Sequence, residues 1–339
     1  MSAPLVSVVV PTHNRAHLLP RLLGSVLGQD VGDFEVLVVN DGSSDDTAEV
    51  LAGWPDDRLR PLHHERARGV AEARNTGTRA ARARWVAWCD DDDVWAPAKL
   101  RLQLEALRDY PAARWCNGGS VYVDNALHQS RTRRCPAPGN ALPGLLRINT
   151  VTGGGSGVLA DRELALSVGG FDGRFSMFAD WHMWARLAAA APLAVVDYPL
   201  VGYVEHQEAM SRHRLHLALD ELTPFADALA DLAEAAGLDT RLDRIALGHW
   251  MLRQQTGVGR RRAGLLLPFR LVRRQLMVPW RVLPYSAVVL AAPSLLQRRW
   301  AGRWVVDERS WRYAQSWLAE LRRSLPAVEQ AGPQPSAGR

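Results

Sequence analysis

The sequence predicts an α/β fold built on a doubly wound, mostly parallel sheet, and two observations carry that expectation. Short apolar runs alternate with segments of helical spacing from Leu5 to Cys89, the pattern of successive βα units. The clearest of these runs also empty into polar clusters: Thr12 to Arg15, Asn40 to Ser43, and Asp90 to Asp93. Ligands of open α/β sheets bind beyond the carboxyl ends of the strands. Three such clusters therefore outline a candidate site.

Leu5 to Val10 (LVSVVV) is a β-branched run suited to a strand buried on both faces, and Pro11 stops it. Ala16 to Leu27 then places Leu18, Leu19, Leu22, Leu23, Val26 and Leu27 at helical spacing. Phe34 to Val39 (FEVLVV) is a second strand, and Asp45 and Asp46 open a helix running to about Ala52. Arg58 to His63 is a weaker third strand. Gly69 to Ala83 is a helix with a small-residue face of Ala71, Ala73, Ala80 and Ala81, and Trp85 to Cys89 is the fourth strand. Beyond it, Lys99 to Asp109 has a mixed helical signal and Ala113 to Val123 reads as another strand. Arg131 to Pro143 reads as a loop rich in Pro and Arg. Asn149 to Leu159 (NTVTGGGSGVL) is glycine-rich but lacks a Walker lysine and a GxGxxG pattern.

The fourth strand delivers four consecutive carboxylates, Asp90 to Asp93. Like charges at a buried strand end repel one another, and a folded protein normally offsets them with a cation. Oxygen ligands without clustered Cys or His suit Mn²⁺ or Mg²⁺ rather than Zn²⁺. An acidic turn complementing the dipole of the helix that begins near Pro97 is the other reading.

The net charge of +5 is regional. Between Arg241 and Leu325 there are 17 Arg against 4 acidic residues, a balance of +13, so the remainder of the chain carries −8. Lys99 is the only lysine; the arginine excess is partly a compositional habit, and nucleic acid is not an expected partner. Cys89, Cys116 and Cys135 are odd in number and widely spaced, which describes neither a disulfide framework nor a zinc site. No basic leader or cleavage site accompanies the first strand, so a reducing cytosol is the expected compartment. Leu215 to Gly237 and Leu242 to Arg253 read as helices, and Pro326 to Arg339 as a disordered tail. Gly259 to Trp304 interleaves Arg with Leu, Val, Phe and Trp. Its uncharged stretch, Val282 to Gln297, holds 16 residues and two prolines, short of the roughly 20 that cross a bilayer. Two readings stay open: an interfacial region on an anionic, cytoplasmic membrane surface, or a packed helical subdomain with a solvated basic face.

In combination and order, VSVVVPTHNRAHLLPRLLGSVLGQ, FEVLVVNDGSSDDT, GVAEARNTG and VAWCDDDDVW resemble the family 2 glycosyltransferases of the GT-A fold. The resemblance covers roughly residues 4 to 215. It implies a catalytic domain over 1–215; the residues after it read as a helical Arg/Trp-rich region over 216–325 and a tail over 326–339. It also implies inverting transfer of a sugar from a nucleotide-sugar donor, UDP-sugars being favoured, with a divalent metal, Mn²⁺ or Mg²⁺. The acceptor is open between a lipid-linked glycan and a small molecule.

Carried over by residue, the resemblance gives Asp41 a hydrogen bond from the nucleobase, although an Asx turn would explain it locally. Pro11, Thr12 and Asn14 line base and ribose. Arg74 and Asn75 lie near the nucleotide and its phosphates, with a structural ion pair the other reading of Arg74. Asp90 and Asp92 occupy the DxD positions, Asp90 toward the ribose and Asp92 on the metal; Asp93 has no assigned role. Thr152 and Ser156 in the glycine-rich segment, and Trp184, would contact sugar or acceptor. Glu163 to Phe175 corresponds to the helix and GGFD turn on the acceptor side. Asp180 aligns with the general base, whereas Ala179 and His182 depart from the pattern. His206 is a candidate second metal ligand, against the blander reading of a structural histidine.

Two other function classes fit parts of the chain. Asp90 to Val94 also matches the DxDxV signature of haloacid-dehalogenase phosphatases, which normally place it on the first strand. The departures at Ala179 and His182 would suit a non-catalytic nucleotide-sugar-binding module.

Overall fold

The computed structural model describes residues 3–206, 215–248, 251, 272–273 and 308–324. The strands are β1 (Val6–Thr12), β2 (Phe34–Asp41), β3 (Leu59–His64), β4 (Trp85–Trp88), β5 (Val94–Trp95), β6 (Trp115–Val123), β7 (Gln129–Arg133), β8 (Val158–Asp161) and β9 (Leu193–Val204). They form one mixed sheet in the order β3-β2-β1-β4-β8-β6-β9-β5, with β7 paired to β6. The β3-β2-β1-β4 half is parallel throughout, with Val6 opposite Phe34 on one side and Trp85 on the other. β8 then runs antiparallel between β4 and β6, while β9 is parallel to β6.

The helices are α1 (Leu19–Leu27), α2 (Thr47–Ala52), α3 (Val70–Ala80), α4 (Lys99–Asp109), α5 (Leu142–Leu145), α6 (Arg162–Ser167), α7 (Ala179–Ala190), α8 (Leu215–Ala235) and α9 (Glu308–Ser324). Two apolar clusters form the core. One joins Trp88, Trp115, Phe171, Trp184 and Phe225; the other joins Val8, Leu22, Val36, Trp95 and Trp317. Helix α3 sits close on β1 because Gly77 faces Val9: a Cβ there would lie 2.3 Å from a Val9 methyl.

The βα units from Val6 to Trp88 fall where the apolar spacing places them. Differences come later. Part of the expected Arg131–Pro143 loop is strand, because β7 completes a hairpin with β6. Its QSRTR sequence has no apolar face to announce it; Arg131 instead stacks on Tyr122, 4.0 Å from the ring centroid, and pairs with Glu205. The glycine-rich segment is a 3₁₀ turn at Gly154–Gly157 leading into β8. Of Leu242–Arg253, residues 244–248 and 251 are helical. Residues 242–243 precede that helix, while 249–250 and 252–253, all but two residues of the Arg-interleaved stretch 259–304, and the tail 326–339 lie outside the described residues. Among the described residues, no helix is long and apolar enough to cross a membrane.

Candidate functional site

The four carboxylates at the end of β4 have four different sets of partners. Asp90 receives Arg74: Nη2 donates to Oδ1 at 2.5 Å. Asp91, buried beneath the turn, accepts from Thr12 Oγ1 at 2.9 Å and Arg15 Nη1 at 2.7 Å. Asp92 shares that guanidinium at 2.9 Å and meets His206 Nε2, also at 2.9 Å. Asp93 is buried and bonds Ser156 and the backbone of β9.

Electrostatics follow these surroundings. Burial and the neighbouring Asp92 charge push the Asp91 carboxyl up to about 6, with Arg15 and Thr12 acting against them. Burial also acts upward on Asp92, but His206 and Arg15 outweigh it and hold the group below the usual carboxylate range. Asp92 therefore stays ionised within the cluster.

Arg74 lies on α3, buried against Phe171, its guanidinium carbon 5.1 Å from the ring centroid. Besides Asp90 it bonds Asp180, Nη1 donating to Oδ1 at 2.5 Å. One guanidinium thus spans the carboxylate turn and the first turn of α7. Burial raises the Asp180 carboxyl, Arg74 lowers it and Asp90 raises it, for a net rise. Gly154 and Gly155 form the adjoining wall, and a Cβ at Gly155 would stand 2.7 Å from Arg74 Nη2 and 3.0 Å from Asp90 Oδ1. Only glycine permits that approach.

On the β1–β2 side, the Asp41 carboxylate accepts from the backbone N–H of Arg68 and Gly69 at 2.8 Å each, and meets His64 Nδ1 at 2.6 Å. It thereby organises the approach to α3. Asn14, at φ 54°, ties the loop after β1 to the loop after β2: its N–H donates to Ser43 Oγ and its Oδ1 accepts from Ser44 N. Pro11 is buried at the end of β1.

The remaining sequence candidates lie deeper. The Asn75 amide is committed to both backbone groups of Phe171, at 2.7 Å each, and so clamps the GGFD turn. Thr152 is fully buried with its hydroxyl on the Gly118 carbonyl at 2.7 Å. Trp184 packs between Trp88 and Phe171. Neither Thr152 nor Trp184 is brought to the carboxylates. Ser156 reaches them from beneath, accepting from Asp90 N at 2.9 Å and donating to Asp93 Oδ2. His182 turns away from the cluster to pack on Phe175; burial pushes its imidazole down to about 4, so it is neutral at pH 7.

Two contributors were not anticipated from the sequence. Arg15 is the cation of the β1 turn, and nothing local shows that it faces residues 91 and 92. Glu221, on α8, accepts from Ser176 N at 2.8 Å and Met177 N at 2.9 Å, just ahead of the helix carrying Asp180. That contact is long-range, and a surface-type Glu on an amphipathic helix gives no signal of it.

A divalent cation fits part of this arrangement. Asp92 and His206 converge from different segments as an oxygen and a nitrogen donor. Among the described residues no group of three His, Cys, Asp or Glu side chains could hold a metal. The donor set therefore suits an ion that completes its shell with water and substrate phosphate oxygens.

Residues 7–165 match the family model described as Glycosyl transferase family 2. That segment is similar to family 2. Among curated glycosyltransferases, it resembles the UDP-Glc:alpha-D-GlcNAc-diphosphoundecaprenol beta-1,3-glucosyltransferase WfgD of Escherichia coli, with 38% identity over 30% of this chain and 41% of that protein. The chain spans less than half the length of the leading curated relatives it matches. Among solved structures, Staphylococcus aureus TarS 1-349 with UDP-GlcNAc aligns over 84% of this chain and 90% of its own (TM-score 0.53, 15% identity). The mannosyltransferase PcManGT of Pyrobaculum calidifontis, with GDP-Man and Mn²⁺, aligns over 97% and 88% (TM-score 0.53, 22% identity). At such identities these two establish the GT-A-like fold. The phosphatase reading of Asp90 to Val94 is set aside, because the motif follows the fourth strand inside the family 2 segment.

Proposed function

We propose that the chain is an inverting, metal-assisted glycosyltransferase moving a sugar from a nucleotide-sugar, UDP-linked by preference, to an acceptor hydroxyl in cell-envelope glycan synthesis. The observation that carries this reading is the Arg74 bridge, which sets Asp180 one guanidinium away from the DxD carboxylate Asp90. A base and a nucleotide-binding turn held in that relation suit direct displacement.

Asp180 takes the proton from the acceptor hydroxyl as that oxygen attacks the anomeric carbon, and the bond from that carbon to the nucleotide diphosphate breaks on the opposite face. Burial favours its neutral form, which strengthens it as a base near neutral pH. Asp41 and the Asn14–Ser44 junction frame the base and ribose, and Arg74 supplies positive charge near the leaving group. A divalent cation, Mn²⁺ or Mg²⁺, held by Asp92 and His206 would offset charge on the departing diphosphate. The lipid-linked acceptor named for the Escherichia coli relative motivates a lipid-linked glycan over a small aglycone. The basic region, largely outside the described residues, would then meet the cytoplasmic membrane surface.

The test is a thermal-shift screen of UDP, GDP, dTDP and their sugars with and without Mn²⁺, followed by transfer and donor-hydrolysis assays on wild type and Asp180→Asn. Stabilisation by one nucleotide class is expected. Asp180→Asn should keep that stabilisation while losing about 10²–10⁴-fold in turnover. Donor binding without transfer or hydrolysis in the wild type would make the chain a nucleotide-sugar-binding module instead.

A further inference from the structure

Asp93 has no part in the chemistry just described, yet it touches three of the segments that build the site. Its side chain is 1% exposed. Oδ2 accepts from Ser156 Oγ at 2.6 Å, and Oδ1 accepts from the backbone N–H of Val204 at 3.1 Å. Ser156 Oγ in turn accepts from Asp90 N. The carboxylate turn, the glycine turn and the end of β9 therefore meet on one carboxylate.

The contact with β9 has a structural cause. β9 lies between β6 and β5, and on its β6 side the ladder continues to the end, with Glu205 N donating to Val123 O at 2.8 Å. On its other side β5 is only two residues long and pairs no further than Gly202. The Val204 amide there would face the interior without a strand neighbour, at the cost of an unmade buried hydrogen bond. Asp93 takes that neighbour's place. Two residues later the same strand end delivers His206 to Asp92.

We propose that Asp93 is a positioning residue for the divalent-cation site: by anchoring Val204 it fixes His206 against Asp92. This rests on the metal-assisted reading above. Partners that orient metal ligands act through geometry, and removing them costs about 10–100-fold in metal affinity.

The experiment is a titration of the full-length protein with Mn²⁺ in the presence of UDP, read by the loss of the free Mn²⁺ electron paramagnetic resonance signal. Wild type should take up Mn²⁺. Asp93→Ala should weaken uptake by about 10–100-fold. Asp93→Asn, which keeps one acceptor for Val204, should lose less and carries the comparison if the alanine variant does not fold. His206→Ala should also weaken uptake, and His206→Ala combined with either Asp93 substitution should be no weaker than His206→Ala alone, because Asp93 acts through His206. A merely structural role would give additive losses. Undiminished uptake in both Asp93 variants, or additive losses, overturns the inference and leaves the glycosyltransferase reading standing. Failure of the wild type to take up Mn²⁺ overturns the metal-assisted reading together with this one.

Discussion

The two halves of the sheet are built on different principles. In β3-β2-β1-β4 each strand is parallel to its neighbours and is followed by a helix or polar turn close in sequence. The loops at their ends, around Asn14, Asp41 and Asp90, make one wall of the site. In β8-β6-β9-β5 the directions are mixed, and distant segments complete the packing. Glu221 of α8 caps the approach to α7, and Trp317 of α9 lies on β9, its Nε1 donating to Pro199 O at 3.2 Å. The parallel half is thus assembled from neighbours in sequence, whereas the half that delivers Asp180 and His206 depends on residues far along the chain.

Trp317→Ala should test this division most severely. The ring is 5% exposed and crosses Gly202, where a Cβ would come within 3.2 Å of it. Its loss is expected to cost about 3–5 kcal/mol. Amide hydrogen exchange should accelerate in β9 while β1 and β2 stay protected; uniform acceleration would erase the distinction. Glu221→Ala should cost about 1–2 kcal/mol, as for a lost helix cap. It should lower turnover while nucleotide-induced thermal stabilisation persists. An equal loss of nucleotide binding would mean that the two walls are not separable.

The smallest effect is expected where the halves meet. Lys99 is fully buried, donating to Gln103 Oε1 at 2.7 Å with Nζ 3.8 Å from the Trp95 ring centroid. Burial pushes its ammonium down to about 7, against the pull of Cys89 and Cys116. Between about pH 7 and the ordinary lysine pKa near 10.4, the unfolded chain binds a proton that the folded chain does not. This contribution therefore rises with pH across that window and is lost as pH falls toward 7. Cys89 and Cys116, whose thiols burial raises, act in the opposite sense once the unfolded thiols ionise near pH 8.5. Below pH 8.5 those thiols do not yet act, so the comparison is made between pH 7 and 8.5. Lys99→Met should flatten the slope of melting temperature against pH there, and an unchanged slope would show that Lys99 is not the group responsible.

The same division explains what could be read from the sequence. LVSVVV, FEVLVV and the small-residue helix before Trp85 are local patterns, and local patterns decide parallel βα units. The polar turns at their ends are local too, so Asp41, Arg74, Asp90 and Asp92 could be singled out. Their pairings could not. Arg74 reaches Asp180 across 106 residues and Arg15 reaches Asp92 across 77, and periodicity carries no information at that range. Thr152 and Trp184 were drawn toward the site by their neighbours in sequence, but Thr152 binds the Gly118 carbonyl and Trp184 fills the aromatic core. Strand β7 was hidden because its stabilising contacts are Arg131 with Tyr122 and Glu205, not an alternating apolar face.

The place of Trp317 has a consequence for how the protein is made. Its hydrogen-bond partner on β9 precedes it by 118 residues. At about 5–20 residues per second of synthesis, β9 waits roughly 6–24 s for its cover. During that interval the nascent chain carries a nearly complete sheet with one apolar flank open to water. Completion of the packing on β9 is therefore postponed until translation has passed α9.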